Sequence, residues 1–241
     1  MLFDGDVIVL AGATGRVGGA TLRLLHDEGA RVVVVSRSRD GGAAAIEGLD
    51  RASFATADLV DPVATAQVLD DAAARFGRVD AVVSLAGKGK FVALTDSTLD
   101  DLRINLDGFV IPAYNFAMAA LRRMLAQPYR PGRGSRGHIV TVTAGSSRDP
   151  QPTFGLFGAA KAAVNTLMRA VAREHKADGI VANAVVLGGV ATDAARDYLS
   201  DADFAAAASP DEVARVLAFL ASSSSDGING ELVDLNAREA E

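Results

Sequence analysis

Short apolar runs and longer stretches of helical character alternate along the chain. Val7-Ile8-Val9-Leu10-Ala11 is uniformly apolar and leads into a glycine-rich turn, the pattern of a strand buried on both faces. Val32-Val33-Val34-Val35, Ala52 to Ala57, Val79 to Leu85, Ile139 to Ala144 and Glu231 to Leu235 read as further strands, most of them β-branched. Between them, a helix is predicted from the glycine turn to about Glu28, closed by Gly29. Another opens at Asp61-Pro62 and ends near Phe76-Gly77. A long one runs from Thr98 to Gln127 with a break or kink near Pro112, an Ala-rich one starts at about Phe154, and Pro210-Asp211-Glu212 opens the last, its acids suited to the helix dipole. Pro128 to Gly137 is a long Pro/Gly/Arg-rich surface loop. Strand and helix in alternation predict an α/β chain with a parallel sheet.

Composition narrows the function classes. The 241 residues, 49% of them hydrophobic, fit one α/β domain as well as two smaller ones; no internal repeat or low-complexity segment interrupts the chain, and a single domain over 1–241 is expected. Without cysteine there is no disulfide, thiol nucleophile or Cys-ligated metal, and no metal site is expected. A net charge of −6 argues against a nucleic-acid surface. The N-terminus lacks the basic start and apolar stretch of a signal peptide. No apolar run is expected to reach the roughly 20 residues of a membrane span, so a cytoplasmic protein is expected.

The first chemistry lies in Gly12-Ala13-Thr14-Gly15-Arg16-Val17-Gly18-Gly19. Strand, glycine turn, helix and strand within about 30 residues are the pattern of a dinucleotide-binding βαβ unit, the alternative being a glycine turn that merely packs tightly. Glycines let the backbone approach a pyrophosphate, and the helix N-terminus offers it free N–H groups. Gly12, Thr14, Gly15, Arg16, Val17 and Gly18 are therefore candidate cofactor contacts. The second strand ends in Ser36-Arg37-Ser38-Arg39, where a carboxylate would select NAD. A guanidinium at Arg37 pairs instead with a 2′-phosphate, so NADP(H) is favoured over NAD(H), with Arg16 and Arg39 adding charge; the alternative is a solvated basic loop. Lys88 and Lys90 follow the fourth strand, where ligands bind in such sheets, and fit either an anionic substrate or a solvated loop.

The stretch Ile139-Val140-Thr141-Val142-Thr143-Ala144, with Phe154-Gly155-Leu156-Phe157-Gly158-Ala159-Ala160-Lys161, resembles the active-site strand and helix of the short-chain dehydrogenase/reductase family. There the strand ends in Ser and the helix carries Tyr-x-x-x-Lys. Lys161 matches the Lys, but the Tyr position holds Phe157 and the Ser position holds Ala144. The earlier Tyr of some enoyl reductases in the family would fall at Phe154. The resemblance covers Val7 to about Asn236. It implies a Rossmann-like, doubly wound, seven-stranded parallel sheet in three αβα layers, with a sixth strand from Ile180 and a short substrate lid at 193–209; beyond it, the terminal residues 237–241 are expected to be a disordered tail. It implies cofactor contacts at Asp58, Leu59, Leu85, Ala86, Gly87, Lys161, Gly188, Val190 and Thr192, and a support role for Asn105. Asp58 reads equally as a helix N-cap. Glycines at 12, 15 and 18 follow the spacing of the family's extended and atypical branches; in the single-domain branch the middle glycine would fall at Arg16. The family Asn-Asn-Ala-Gly is Ser84-Leu85-Ala86-Gly87 here.

Three functional readings follow. The first is an NADP(H)-dependent oxidoreductase for a small carbonyl, alcohol or conjugated substrate, with an atypical proton relay built on Lys161, Asn105 and Thr143. Ser146 or Ser147 could also replace the Ser, and Tyr198, a water or the substrate could replace the Tyr. The second is a non-redox dehydratase, cyclase or isomerase on the same scaffold. The third is a catalytically silent cofactor-binding or partner subunit. A homodimer or homotetramer is expected through the helices around 99–127 and 154–178, with Ala159, Ala163 and Ala170 either packing there or facing the chain's own sheet.

Overall fold

In the computed structural model, residues 1–197 and 199–235 are described; Tyr198 and the expected tail at 237–241 lie outside them. Seven strands form one parallel sheet: β1 (Val7–Ala11), β2 (Arg31–Ser36), β3 (Ala52–Thr56), β4 (Ala81–Ser84), β5 (Gly137–Ala144), β6 (Ile180–Leu187) and β7 (Leu232–Leu235). Their order is β3-β2-β1-β4-β5-β6-β7, the doubly wound arrangement expected, with the topological switch between β1 and β4. Two-residue alternation splits β1 between two cores. Ile8 and Leu10 pack toward α1 (Arg16–Asp27) and α8 (Pro210–Ala221), meeting Leu22, Leu25 and Leu217. Val9 and Ala11 face α3 (Pro62–Phe76), α5 (Ile111–Leu125) and α6 (Gly155–Glu174), meeting Leu69, Phe116 and Met168.

Several boundaries differ from expectation for local reasons. A helix α2 (Arg39–Ala45), capped by Ser38, follows β2. The long helix is broken by a π-turn at Leu106–Val110 between α4 (Leu99–Asn105) and α5, and Pro112 falls in the first turn of α5, where its missing N–H is harmless. Gly108 lies in that turn because a Cβ there would stand 1.8 Å from the Lys88 carbonyl oxygen. The stretch Leu99–Leu125, 27 residues containing an 18-residue window of mean hydropathy 1.2, is by length and composition alone long and apolar enough to cross a membrane, a test that the core helix of a globular fold also passes. In the fold, 56% of its apolar window is buried. The 128–137 loop is pinned rather than free: Arg130 and Arg133 pair with the buried Asp6 carboxylate, and the Gly134 N–H donates to Asp226. A short helix α7 (Asp201–Ala206), capped by Ser200, lies within the expected lid.

Candidate functional site

The site lies beyond the C-terminal ends of β1, β4, β5 and β6. At its first end the chain turns sharply after β1 because Gly12 adopts φ +92°, and a Cβ there would stand 2.9 Å from the Ala86 backbone nitrogen. Gly18 lets α1 lie on that turn: a Cβ would stand 2.0 Å from the Gly12 carbonyl oxygen. Gly15 is the N-cap of α1, with no side-chain cap and no acid in the first turn. The N-terminal N–H groups of α1 are thus left for an anion, and the cradle fits a pyrophosphate. Arg16 begins α1, and its exposed guanidinium pairs with Asp193, the first residue of the segment over the site mouth.

At the end of β2 the Ser36 hydroxyl donates to the Ser38 carbonyl at 2.9 Å, so it is spent on the turn. Arg37 and Arg39 are exposed and have no ion pair among the described residues. Asp58 is exposed and accepts from the Val60 N–H at 3.1 Å; the cap of α3 is Asp61, which accepts from Val63 and Ala64. Asn115 on α5 braces this loop, donating to the Leu59 and Val60 carbonyls at 2.8 and 3.0 Å. That amide was not singled out from the sequence. It gives this sheet edge the kind of bracing that Ser84 and Leu85 lack. Leu85 and Ala86 are half-buried against Gly12, and Gly87 lies on the Phe109 ring, which a Cβ would meet at 2.5 Å.

The two lysines after β4 differ. Lys90 is bound to Asp101 at 2.5 Å, and Asp101 also accepts from the Thr98 N–H and hydroxyl. The Lys90 ammonium, then these Thr98 bonds, hold the Asp101 carboxyl down to about 2. Lys88 is exposed with no ion pair among the described residues. Asn105 is fully buried at the π-turn; its amide donates to the Asp101 and Lys90 carbonyls at 2.9 and 3.1 Å, and its Oδ1 has no partner. It therefore holds the bent helix, and a free acceptor remains beside the lysine segment.

At the other end, Lys161 reaches from α6 to the end of β5, where Nζ donates to the Val142 carbonyl at 2.9 Å. The ammonium lies 4.5 Å from the Phe109 ring centre and 5.8 Å from that of Phe157, with no carboxylate paired to it among the described residues. Burial pushes its pKa down to about 8. Ala144 ends β5 with no polar side chain, and α6 packs on the turn after it through Gly158. The hydroxyls of Thr143 and Ser146 are buried without partners, whereas Ser147 accepts from Asn165 at 2.8 Å. Buried hydroxyls of this kind are uncommon unless a ligand or water satisfies them. Phe157 lies in an array with Phe91, Phe109 and Phe154, with ring centres 5.2, 5.1 and 5.9 Å away.

On β6 and its loop, the Gly188 N–H donates to the Leu235 carbonyl, and the Thr192 N–H to that of Val190 at 2.8 Å. Val190 also pairs with Ala208, which ties the loop after β6 to the end of the segment over the mouth. Tyr198, the one tyrosine expected near the mouth, lies outside the described residues. A separate cavity of about 400 Å³ lies between α6 and β7, lined by Arg169, Arg173, Lys176 and Glu231 among others, and shares no residue with this site.

Known proteins agree with this geometry. Residues 6–203 match the sequence model of the short chain dehydrogenases. The meso-2,3-butanediol dehydrogenase of Serratia marcescens is 31% identical over 244 residues, covering 95% of this chain and 92% of that protein. An NADPH-dependent aldehyde reductase-like chloroplastic protein of Arabidopsis thaliana is 26% identical over 258 residues, covering 96% and 93%. A solved structure described as a short chain dehydrogenase/reductase family protein superposes with a TM-score of 0.85 at 29% identity, covering 99% of this chain and 98% of its own. Sheet order, glycine turn and matched span together make this chain a member of the short-chain dehydrogenase/reductase family.

Proposed function

We propose that this protein is an NADP(H)-dependent oxidoreductase acting on a small carbonyl, alcohol or conjugated substrate, with Lys161 itself as the proton donor and acceptor. The observation that supports this best is the lodging of Lys161: its ammonium rests on the Val142 carbonyl and the Phe109 face, with no carboxylate paired to it among the described residues, while the end of β5 and the turn after it carry two buried hydroxyls without partners. With a pKa brought down to about 8 by burial, such an amine exchanges its proton near neutral pH and needs no phenol between it and the substrate.

The cofactor, when bound, supplies or accepts a hydride at the substrate carbon. The glycine turn and the N-terminus of α1 hold its pyrophosphate, with Thr14, Arg16 and Val17 around it. Arg37 reads the 2′-phosphate, and Asp58 and Leu59 flank the adenine. Ala86 and Gly87 give its path along β4, and Gly188, Val190 and Thr192 line the nicotinamide end. Thr143 and Ser146 donate to the substrate oxygen in place of a Ser at Ala144. In reduction Lys161 gives that oxygen a proton; in oxidation it takes one. Asn105 keeps the bent helix and its free carbonyl oxygen beside this path.

The Arabidopsis relative is described as NADPH-dependent, which agrees with the choice of NADP(H). The same reading has the protein working in the cytoplasm as a homodimer or homotetramer. Leu99, Ile104 and Tyr114 are exposed on α4 and α5, and Ala159 and Ala163 are exposed on α6 rather than facing the sheet. One observation favours a silent cofactor-binding subunit instead: the Phe157 ring, packed on three others, fills the place of the phenol.

Titration with NADPH and NADH, followed by fluorescence and thermal shift, tests the proposal. NADPH is expected to bind about ten-fold or more tightly than NADH, and Arg37→Ala to remove most of that difference, since a charged hydrogen bond contributes about 1.5–3 kcal/mol. Absence of binding by both cofactors would sink the redox reading.

A further inference from the structure

Resting on the proposed function for the place of the reacting carbonyl, we infer that the substrate is a flat aromatic or conjugated carbonyl compound, held with its ring against Phe91. The chain is sparing with aromatics, which make up 5% of it, yet four of its ten phenylalanines form one connected array at this site. The array runs inward from Phe91 to Phe154 at 4.6 Å, to Phe157 at 5.2 Å, and on to Phe109, over which Lys161 lies. Its inner end, Phe109, is buried, and its outer end, Phe91, is 46% exposed.

Exposed apolar side chains are common singly, but this one continues a packed aromatic series that leads to the reactive amine. Aromatic rings favour tilted and edge-on neighbours, and the pairs already present have those geometries, at 36°, 66° and 73°. A planar ligand extends the same packing outward, which a puckered saturated ring of equal size does less well.

Two further observations bear on the ligand. The Val92 N–H donates to the Thr153 carbonyl at 3.0 Å, which joins the segments that carry Phe91 and Phe154. Thr153 holds φ at +71°, a left-handed conformation that costs a β-branched residue strain and that is concentrated at ligand sites. The charge next to Phe91 is cancelled, because Lys90 is bound to Asp101 at 2.5 Å. The ring contact is therefore made beside a neutral pair, which suits an uncharged ring better than the anionic substrate that two free lysines would have indicated.

The experiment compares acetophenone with cyclohexyl methyl ketone, which share a carbon skeleton and differ in planarity and aromaticity. Calorimetric titrations use the purified full chain, with and without NADPH. Acetophenone is expected to bind about three- to ten-fold more tightly. Phe91→Leu, which keeps an apolar side chain but removes the ring, is expected to bring the ratio close to one, and Phe91→Tyr to retain it. Phe219→Leu, at a phenylalanine 40% exposed on α8, is expected to leave it unchanged. Equal affinity for the two ketones, no acetophenone binding at millimolar concentration, survival of the preference in Phe91→Leu, or its loss in Phe219→Leu would each overturn the inference. Binding is read without turnover, so a protein that prefers acetophenone but reduces nothing loses the redox reading and keeps this one.

Discussion

Around the turn after β1 the ligand seat is made of backbone, and around the end of β5 it is made of side chains. Gly12 and Gly18 are fixed by what a Cβ would strike, 2.9 Å and 2.0 Å away, so the cradle leaves little room for substitution. At β5 and α6, replacing Ser and Tyr by Ala144 and Phe157 leaves strand, turn and helix in place, because those side chains do not hold the fold together. A scaffold can thus keep its means of binding a dinucleotide while the groups that act on the substrate change.

The comparison breaks most visibly at Gly18. Gly18→Val drives a branched side chain into the Gly12 backbone, where neither main chain can yield. The expected result is a loss of about 2–3 kcal/mol of stability, by overpacking, and a fall in NADPH affinity of about a hundred-fold or more. Melting curves and cofactor titration check it. Tight binding by this variant would mean that the cradle is not the cofactor seat.

The side-chain end predicts the opposite behaviour, a gain. Phe157→Tyr with Ala144→Ser restores both groups on an unchanged backbone. Ketone reduction is expected to rise by about 10²-fold or more over the parent, the usual scale of positioned acid–base groups. Steady-state rates with acetophenone and NADPH measure it. If the double variant gains nothing while still binding cofactor, the aromatic array has closed the site, and the silent-subunit reading takes over.

This contrast also explains what could be read from sequence. The sheet and the glycine turn were legible because they rest on local pattern: β-branched runs, Gly at fixed spacing, Asp61-Pro62 opening α3. Lys161 and Asn105 were legible through the resemblance. What escaped depends on contacts between distant segments. Phe109 is an ordinary helical phenylalanine until the 87–89 backbone is laid on its ring, and Asn115 is an unremarked amide until Leu59 and Val60 reach it. Lys88 and Lys90 look alike in the sequence; only the fold brings Asp101 to one of them. Pro112 drew the expected kink, whereas Gly108 permits the bulge that makes it.

Lys161 sharpens the comparison by pH. Its pKa is about 8 in the folded chain against 10.5 for an ordinary lysine, because burial disfavours the charge. Between these values the unfolded chain binds the extra proton, so stability rises with pH from about 8 to about 10.5; below 8 the full penalty stands. Carbonyl reduction, which uses the charged amine, is expected to fall as pH rises through about 8, and alcohol oxidation to rise. Lys161→Met removes both dependences and raises the melting temperature at neutral pH. A melting profile with the same slope in parent and variant between pH 8 and 10.5 would show that burial does not lower the pKa of this amine.

The smallest expected effect lies where the two ends meet. Arg16, standing where the single-domain branch of the family has glycine, gives its guanidinium to Asp193 on the mouth segment. Both side chains are largely exposed, so the pair contributes about 0–1 kcal/mol and does not hold the fold. Its effect is on binding, because Asp193 competes for a cation that begins the helix facing the pyrophosphate. Asp193→Asn frees Arg16 and takes a negative charge from the approach of an anionic cofactor. NADPH affinity is expected to rise about two- to five-fold at low salt, an effect of the size of one exposed ion pair, and the gain to fade above about 0.5 M salt as screening shortens. The melting temperature without cofactor should not move. An unchanged affinity at low salt would show that Arg16 does not face the cofactor, and that the departure from glycine at this position serves the mouth segment alone.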